Sequence, residues 1–287
     1  MNSSFDAATS VLATHRAGTY DAHLRDEWSS LAGMHGGYAC AVAVRAMEVE
    51  LDDAPRHLRA LTATFLRATK PGPATVEVEI LRAGRRLAVT RAELWQGGKR
   101  CVTVQGTFAG SMDGVAIDRP SLPRPDPANR LPFETQGLVK HFDNLHCDLD
   151  RRWWPGGDGD LARLSGWIRL KEDRPLDAAL VVLVADVLPP TTFAASATPQ
   201  GGMTLDLAVT LLADPAEADA RAGGTGEITM TVETEHAADG LAWERGVLWA
   251  GDTVLATVAQ TRYVGRAPTV LSALRLDEAG AVPDPTG

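Results

Sequence analysis

The 287-residue chain lacks the sequence features that define several large protein classes. It has three cysteines, Cys40, Cys101 and Cys147, whose spacing fits neither a disulfide framework nor a zinc site, so we expect reduced thiols. No apolar run approaches the roughly 20 residues that a membrane-spanning helix needs. The first residues, MNSSFDAATSV, lack the basic and apolar regions of a signal peptide. The sequence therefore predicts a soluble cytoplasmic protein.

Several catalytic motifs are also missing. The chain contains no G-x-S-x-G nucleophile turn, no H-E-x-x-H zinc motif and no phosphate-binding loop. The segment HFDNLHCDLD, residues 141–150, holds two histidines and three aspartates, but it lacks the spacing of a metal-ligand set. We therefore predict no metal and no cofactor.

Negative charge dominates, but it is unevenly distributed. The net charge is −9, which argues against nucleic acid as a partner for the whole surface. Residues 1–110 carry 13 Lys and Arg against 11 Asp and Glu, whereas residues 111–287 carry 15 against 26. If the ligand is anionic, we expect its charged end to contact the first half.

What is present in the first half is a helix followed by strands. The apolar stretch GGYACAVAVRAM predicts a buried helix that begins near Gly36 and runs to about Glu48. In TVEVEI, residues 75–80, apolar and acidic residues alternate as in a half-buried strand. Two further apolar runs flank QGGK, and a Gly-Gly pair in that position is typical of a tight hairpin. This order indicates an α+β unit with an antiparallel sheet.

The same order of elements occurs again after a proline-rich stretch. RAELWQGGKRCVTVQGT, residues 91–107, aligns without gaps to RGVLWAGDTVLATVAQT, residues 245–261, with seven identities in 17 positions. The segment PLDAALVVLVADVL, residues 175–188, predicts the second buried helix, with Pro175 at its start. We interpret this as a duplication, although two amphipathic hairpins could also match by chance. The predicted units are residues 1–110, a linker over 111–135, and residues 136–287 with a tail.

Two tandem units of this kind resemble the double hotdog acyl-CoA thioesterases of the thioesterase II (TesB-like) family. The resemblance covers nearly the whole chain and rests on HGGYACAVAVRAM in the first half and on three short segments in the second. The family carries an Asp on the second helix, a Thr that opens the next strand and a Gln in the last strand. The matching residues are Asp186 in LVADVLPP, Thr204 in GGMTLDLAV and Gln260 in ATVAQTRY.

The resemblance implies a metal-free hydrolase of acyl-CoA. Asp186 would accept a proton from the attacking water, and Thr204 and Gln260 would orient that water. The amide end of the first helix would polarise the thioester carbonyl, which places residues 35–38 at the substrate: His35, Gly36, Gly37 and Tyr38. The glycines also suit close packing, so their role is open between packing and chemistry.

Other functions stay open at this level. A double hotdog protein could bind an acyl-CoA or a polyketide without catalysis, and a hotdog hydratase is a third alternative. A hydratase would need an Asp and a His close together on one helix, which neither predicted helix offers. The thioesterase hypothesis implies an acyl-CoA substrate, no membrane and no nucleic acid, and it leaves a homo-oligomer open.

Overall fold

The computed structural model describes residues 3–30, 33–53, 55–111, 114–115, 117–132, 137–147, 162–193 and 200–266. The helices are α1 (Ser4–Thr9), α2 (Gly36–Leu51), α3 (Ala178–Val184) and α4 (Pro215–Arg221). The first-half strands are β1 (Val11–Ala13), β2 (Thr19–Leu24), β3 (Ser29–Ser30), β4 (Gly33–Met34), β5 (His57–Phe65), β6 (Gly72–Ala83), β7 (Leu87–Gln96) and β8 (Lys99–Ala109). The remaining strands are β9 (Leu131–Pro132), β10 (Phe142–Cys147), β11 (Arg163–Leu170), β12 (Gln200–Leu211), β13 (Glu227–Ala238), β14 (Leu241–Ala250) and β15 (Thr253–Arg266).

One antiparallel sheet runs through both halves. Within the described residues it has 13 strands in the order β1-β2-β6-β7-β8-β5-β12-β15-β14-β13-β11-β10-β9. The halves join edge to edge, because β5 pairs with β12 over the register Thr64↔Asp206 to Ala60↔Thr210. The pairing leaves neither of these two long strands as an exposed edge, which removes a common route to aggregation.

The two hairpins that aligned in the sequence also have the same irregularity. In β7–β8 the register shifts between Leu94 and Trp95, and in β14–β15 it shifts between Leu248 and Trp249, at the equivalent place. The first hairpin turns at Gly97 and Gly98, both with positive φ angles of 54° and 72°. Residues with a side chain rarely adopt that conformation, which explains the Gly-Gly pair in this turn. A shared bulge supports the interpretation of a duplication.

The two central helices differ in length. Helix α2 has 16 residues, and Asp52, with a left-handed φ of 44°, ends it. Helix α3 has only seven residues, from Ala178 to Val184, and Asp177 caps its N-terminus by accepting the N–H of Leu180. The prediction of a helix over 175–188 was therefore too long at both ends. The chain leaves the helix before Pro189-Pro190, because a residue that precedes proline disfavours the helical conformation.

The linker lies against the second half. Leu122 is buried with Val247 and Trp249, and the hydroxyl of Thr231 donates to the carbonyl oxygen of Pro123 at 2.8 Å. The part of the tail beyond residue 266 is outside the described residues. No helix within the described ranges is long and apolar enough to cross a membrane.

Candidate active site

Asp186 lies just beyond the C-terminus of α3, in a turn rather than on the helix as the sequence analysis expected. Its backbone N–H donates to the carbonyl of Leu183, an i to i−3 bond that tightens the chain as the helix ends. The residue is 8% exposed. Its Oδ1 accepts the hydroxyl of Thr204 at 3.0 Å, and its Oδ2 accepts the backbone N–H of Gly37 at 3.0 Å. One carboxylate thus joins the two central helices to β12.

The Gly36-Gly37 pair allows α3 and Asp186 to approach the N-terminus of α2 closely. A Cβ on Gly37 would lie 2.6 Å from the carbonyl oxygen of Leu183, so the glycine is what lets α2 and α3 come this close. A Cβ on Gly36 would lie 2.8 Å from Oδ2 of Asp186 and 3.0 Å from the ring of Phe65. The close approach puts the carboxylate at the amide end of a 16-residue helix, where negative charge is stabilised.

The N–H groups in the first turn of α2 differ in whether an acceptor already occupies them. The N–H of Tyr38 donates to Nδ1 of His35, that of Ala39 to the carbonyl of His35, and that of Gly37 to Asp186. The N–H of Gly36 has no hydrogen-bond partner within the described part of the chain. The expected oxyanion donor at Gly37 is therefore occupied by the carboxylate, and Gly36 carries the remaining amide.

His35 caps α2 and is held in one tautomer. Its Nδ1 accepts the N–H of Tyr38 at 3.2 Å, so its Nε2 must carry the proton that it donates to the carbonyl oxygen of Asp186 at 3.0 Å. Burial lowers the pKa of His35, and the nearby charge of Asp186 opposes that effect only in part. Both ring nitrogens are therefore hydrogen-bonded to backbone groups, and a contact of His35 with substrate stays a prediction.

Two buried charged residues near Asp186 were not predicted from the sequence: Arg262 contacts it, and Glu244 contacts Arg262. Arg262 on β15 is 6% exposed; its Nη1 donates to the Thr204 hydroxyl at 3.1 Å and its Nη2 lies 3.6 Å from Oδ1 of Asp186. Glu244 on β14 is fully buried and accepts Nε of Arg262 at 2.6 Å. Burial acts to lower the pKa of Arg262, but the carboxylates of Glu244 and Asp186 outweigh it and hold that pKa above its usual range. The period of two places Arg262 on the same face as Gln260, a signal that could have identified it.

Gln260 is hydrogen-bonded to Glu244 rather than to Asp186. Its Nε2 donates to Oε2 of Glu244 at 3.0 Å, and no direct hydrogen bond joins it to Asp186 or Thr204 within the described residues. The side chain is 1% exposed, and its Oε1 is buried without a partner in the described part of the protein. An unpaired buried acceptor is costly, so this oxygen is suited to a donor such as a water molecule.

Tyr38 and Cys40 are both fully buried on α2. The Tyr38 side chain is fully buried, stacks on Trp28 with ring centroids 5.7 Å apart, and donates its hydroxyl to the carbonyl of Ala8. The Tyr38 hydroxyl also accepts the N–H of Arg25, so both of its hydrogen bonds are to the backbone, and a contact of Tyr38 with substrate stays a prediction. Burial, assisted by the charge of Asp186, raises the pKa of the Cys40 thiol, so the thiol stays protonated near neutral pH.

The polar set exists in one half only. Glu244 faces Gln260 across β14–β15, and the equivalent pair in β7–β8 is Thr90 and Gly106. The position that corresponds to Arg262 is held by Phe108, which is fully buried. Within the described residues, no group of three or more His, Cys, Asp or Glu side chains could hold a metal ion, and residues 148–150 of the acidic segment lie outside them. The duplication thus supplies one polar site.

Comparisons with known proteins agree with this architecture. The family model for the acyl-CoA thioesterase N-terminal domain matches residues 24–109, and the model for the acyl-CoA thioesterase C-terminal domain matches residues 117–264. No curated protein matches the chain.

Solved structures show the same fold at low sequence identity. A hot dog fold protein of unknown function from Alicyclobacillus acidocaldarius has a TM-score of 0.80 and 23% identity, covering 92% of this chain and 99% of its own. An acyl-CoA thioesterase II from Mycobacterium marinum has a TM-score of 0.70 and 16% identity, covering 92% and 98%. Because the two family models together span most of the sequence, the chain belongs to the acyl-CoA thioesterase family and has the double hotdog fold.

Proposed function

We propose that Asp186 is the general base of the thioester hydrolysis to a free acid and a thiol that membership of the acyl-CoA thioesterase family implies. The observation that carries the proposal is the buried carboxylate at the amide end of α2, fixed by Gly37 and Thr204 at 3.0 Å each. A carboxylate held in this way has one fixed orientation in which it can accept a proton from water. A positioned general base contributes about 10²–10⁴-fold to the rate.

The proposed reaction is a direct attack by water. Asp186 takes one proton from the water as its oxygen bonds to the thioester carbonyl carbon, giving a tetrahedral oxyanion. The carbon–sulfur bond then breaks, and the thiolate that leaves takes the proton back from Asp186. The products are the carboxylic acid and CoA, and the carboxylate returns to its starting state.

We assign the oxyanion to the amide end of α2. The N–H of Gly37 is used by Asp186, so the N–H of Gly36 is the donor that can face the carbonyl oxygen. The dipole of α2 adds to that single hydrogen bond. Donors of this kind stabilise the charge that develops in the transition state more than the neutral substrate.

Gln260 and Thr204 receive different tasks. The unpaired Oε1 of Gln260 can accept the second proton of the attacking water, which would orient its lone pair. The Thr204 hydroxyl already donates to Asp186 and accepts from Arg262, so it orients the base rather than the water.

The CoA phosphates need cations near the site entrance. Phe65 ends β5 against Gly36, and the exposed Arg67 follows it two residues later. The Nη1 of Arg67 donates to the carbonyl oxygen of Arg100, whose guanidinium lies 4.9 Å from the ring of Trp95. We propose that Arg67 and Arg100, rather than the other basic residues of the first half, contact the phosphates.

A panel of CoA thioesters tests the proposed function. We expect purified protein to release free thiol, detected with a thiol reagent, from saturated acyl-CoAs of at least one chain length. Binding of every member without thiol release would support the non-catalytic alternative. Loss of 2-enoyl-CoA absorbance without thiol release would support the hydratase alternative.

A further inference from the structure

We propose that Arg262 is a positioning residue of the thioesterase site, which fixes the direction of the Thr204 hydroxyl proton and so orients the Asp186 carboxylate. The inference rests on the proposed function, since it assigns how the proposed base is held. It concerns a residue outside the set Asp186, Thr204 and Gln260.

The direction of the hydrogen bonds follows from the chemistry of the three groups. A guanidinium has only donors, so Nη1 of Arg262 must donate to Oγ1 of Thr204 at 3.1 Å. The hydroxyl then has one proton, and the acceptor within reach is Oδ1 of Asp186 at 3.0 Å. Without Arg262 the hydroxyl could rotate and accept a hydrogen bond elsewhere, which would free Oδ1 from its donor.

Arg262 is itself held rigidly. Its Nε donates to Oε2 of Glu244 at 2.6 Å, and its Nη2 donates to the carbonyl of Leu188 at 3.3 Å. Glu244 also accepts the N–H of Thr191 and the amide of Gln260. The hydroxyls of Thr191 and Thr234 lie 2.5 Å apart, so one donates to the other and a single hydroxyl proton remains for Glu244. With Arg262 this makes four donors, which fill the roughly four lone-pair sites of the carboxylate, so its role here is to hold Arg262 and Gln260.

The duplication isolates this arrangement as a functional addition. The equivalent positions in the first half, Thr90, Gly106 and Phe108, build the same sheet without buried charge. A buried ion pair is weak evidence for stability by itself, since apolar residues can replace it. The charged pair and Gln260 occur in the half that holds Asp186, which points to the site rather than the fold as their purpose.

The test is a double-mutant cycle between Arg262 and Thr204. Arg262→Lys keeps the charge but loses the planar fork that reaches Glu244, Thr204 and Leu188 together. We expect kcat to fall about 10-fold to 10²-fold, because small displacements of reacting groups cost that much, while KM changes less than about threefold. In the Thr204→Val background the same substitution should cost almost nothing further, since both act through one hydroxyl.

Arg163→Lys is the matched control, because Arg163 on β11 also pairs with a strand carboxylate, Glu233, outside the site. It should keep wild-type kcat and lower the melting temperature less than Arg262→Lys does, because the Arg163 side chain is 32% exposed and that of Arg262 only 7%. If Arg262→Lys does not fold, the double variant Glu244→Gln with Arg262→Gln removes both buried charges at once and should show the same loss of kcat.

Wild-type kcat in Arg262→Lys would overturn the inference. So would a loss of kcat in the variant that combines Arg262→Lys with Thr204→Val that equals the product of the two single losses. Asp186→Asn, assayed in parallel, separates this from a failure of the proposed function. If Asp186→Asn is inactive and Arg262→Lys is fully active, only the positioning role is wrong. If both are fully active, the proposed site itself is wrong.

Discussion

Gly36→Ala places one methyl group between α2 and the proposed base. The added Cβ would lie 2.8 Å from Oδ2 of Asp186, against about 3.4 Å for an ordinary contact, and 3.0 Å from two ring atoms of Phe65. The carboxylate must therefore shift by roughly 0.6 Å or turn, which stretches its bond to the N–H of Gly37, now 3.0 Å. Because a misplacement of about 1 Å can cost about 10²-fold, we expect kcat to fall about 10-fold to 10²-fold.

The effect on stability should be smaller than the effect on rate. Alanine favours a helix over glycine by up to about 1 kcal/mol, which offsets part of the roughly 1–3 kcal/mol that overpacking costs. Gly37→Ala differs, because its Cβ would meet the backbone carbonyl of Leu183 at 2.6 Å, and a backbone atom cannot turn away. We expect the melting temperature to fall more in Gly37→Ala than in Gly36→Ala.

The assay is steady-state hydrolysis of the best acyl-CoA together with a thermal melt of each variant. Gly114→Ala is the control, since a Cβ there would meet nothing within 4 Å. Unchanged kcat in Gly36→Ala would refute the reasoning, because it would mean that the position of the Asp186 carboxylate does not limit the reaction.

Three further predictions concern pH, stoichiometry and salt. Burial lowers the pKa of His35 below its usual 6.5, so its contribution to stability is complete above about pH 6.5 and is lost as the pH falls towards the folded-state pKa. In denaturant titrations from pH 5 to 8, the free energy of unfolding of His35→Asn should therefore fall less steeply towards acid pH than that of the wild type. Equal pH dependence in the two proteins would contradict this. Calorimetry with Asp186→Asn should give one acyl-CoA bound per chain, because the first half carries Phe108 and Gly106 where the second carries Arg262 and Gln260; two sites would be the opposing result. Raising the salt concentration should increase KM more than it lowers kcat, since exposed charges are screened over about 8–10 Å. This effect of salt on KM should be smaller in Arg67→Ala. A KM insensitive to salt would argue against the proposed phosphate contacts of Arg67 and Arg100.

The strands could be predicted from sequence because their signals are local. Alternation in TVEVEI and the Gly-Gly turn predicted β6, β7 and β8, and the 17-residue alignment predicted the second hairpin, whereas the bulge that both hairpins share became visible only in the structure. The resemblance to acyl-CoA thioesterases is confirmed by the two family models. Strands and tight turns of this kind can be predicted from a few neighbouring residues, because alternation and the Gly-Gly pair are local patterns.

The contacts between halves could not be predicted in the same way. The pairing of Gly37 with Asp186 joins residues 149 positions apart, so no local pattern shows that the carboxylate occupies the amide expected for the oxyanion. Glu244 and Arg262 were missed because a charged residue in a strand usually faces solvent. The end of α3 was misjudged because the apolar residues Ala185, Val187 and Leu188 follow the helix, which ends at Val184.

The most direct test of the central claim is single-turnover hydrolysis by Asp186→Asn. The asparagine side chain has nearly the same shape and can still accept the N–H of Gly37, but it cannot take a proton from water. We predict that the rate constant of the chemical step falls about 10²–10⁴-fold, with acyl-CoA affinity and melting temperature close to those of the wild type. A variant that hydrolyses acyl-CoA at the wild-type single-turnover rate would contradict the assignment of Asp186 as the base.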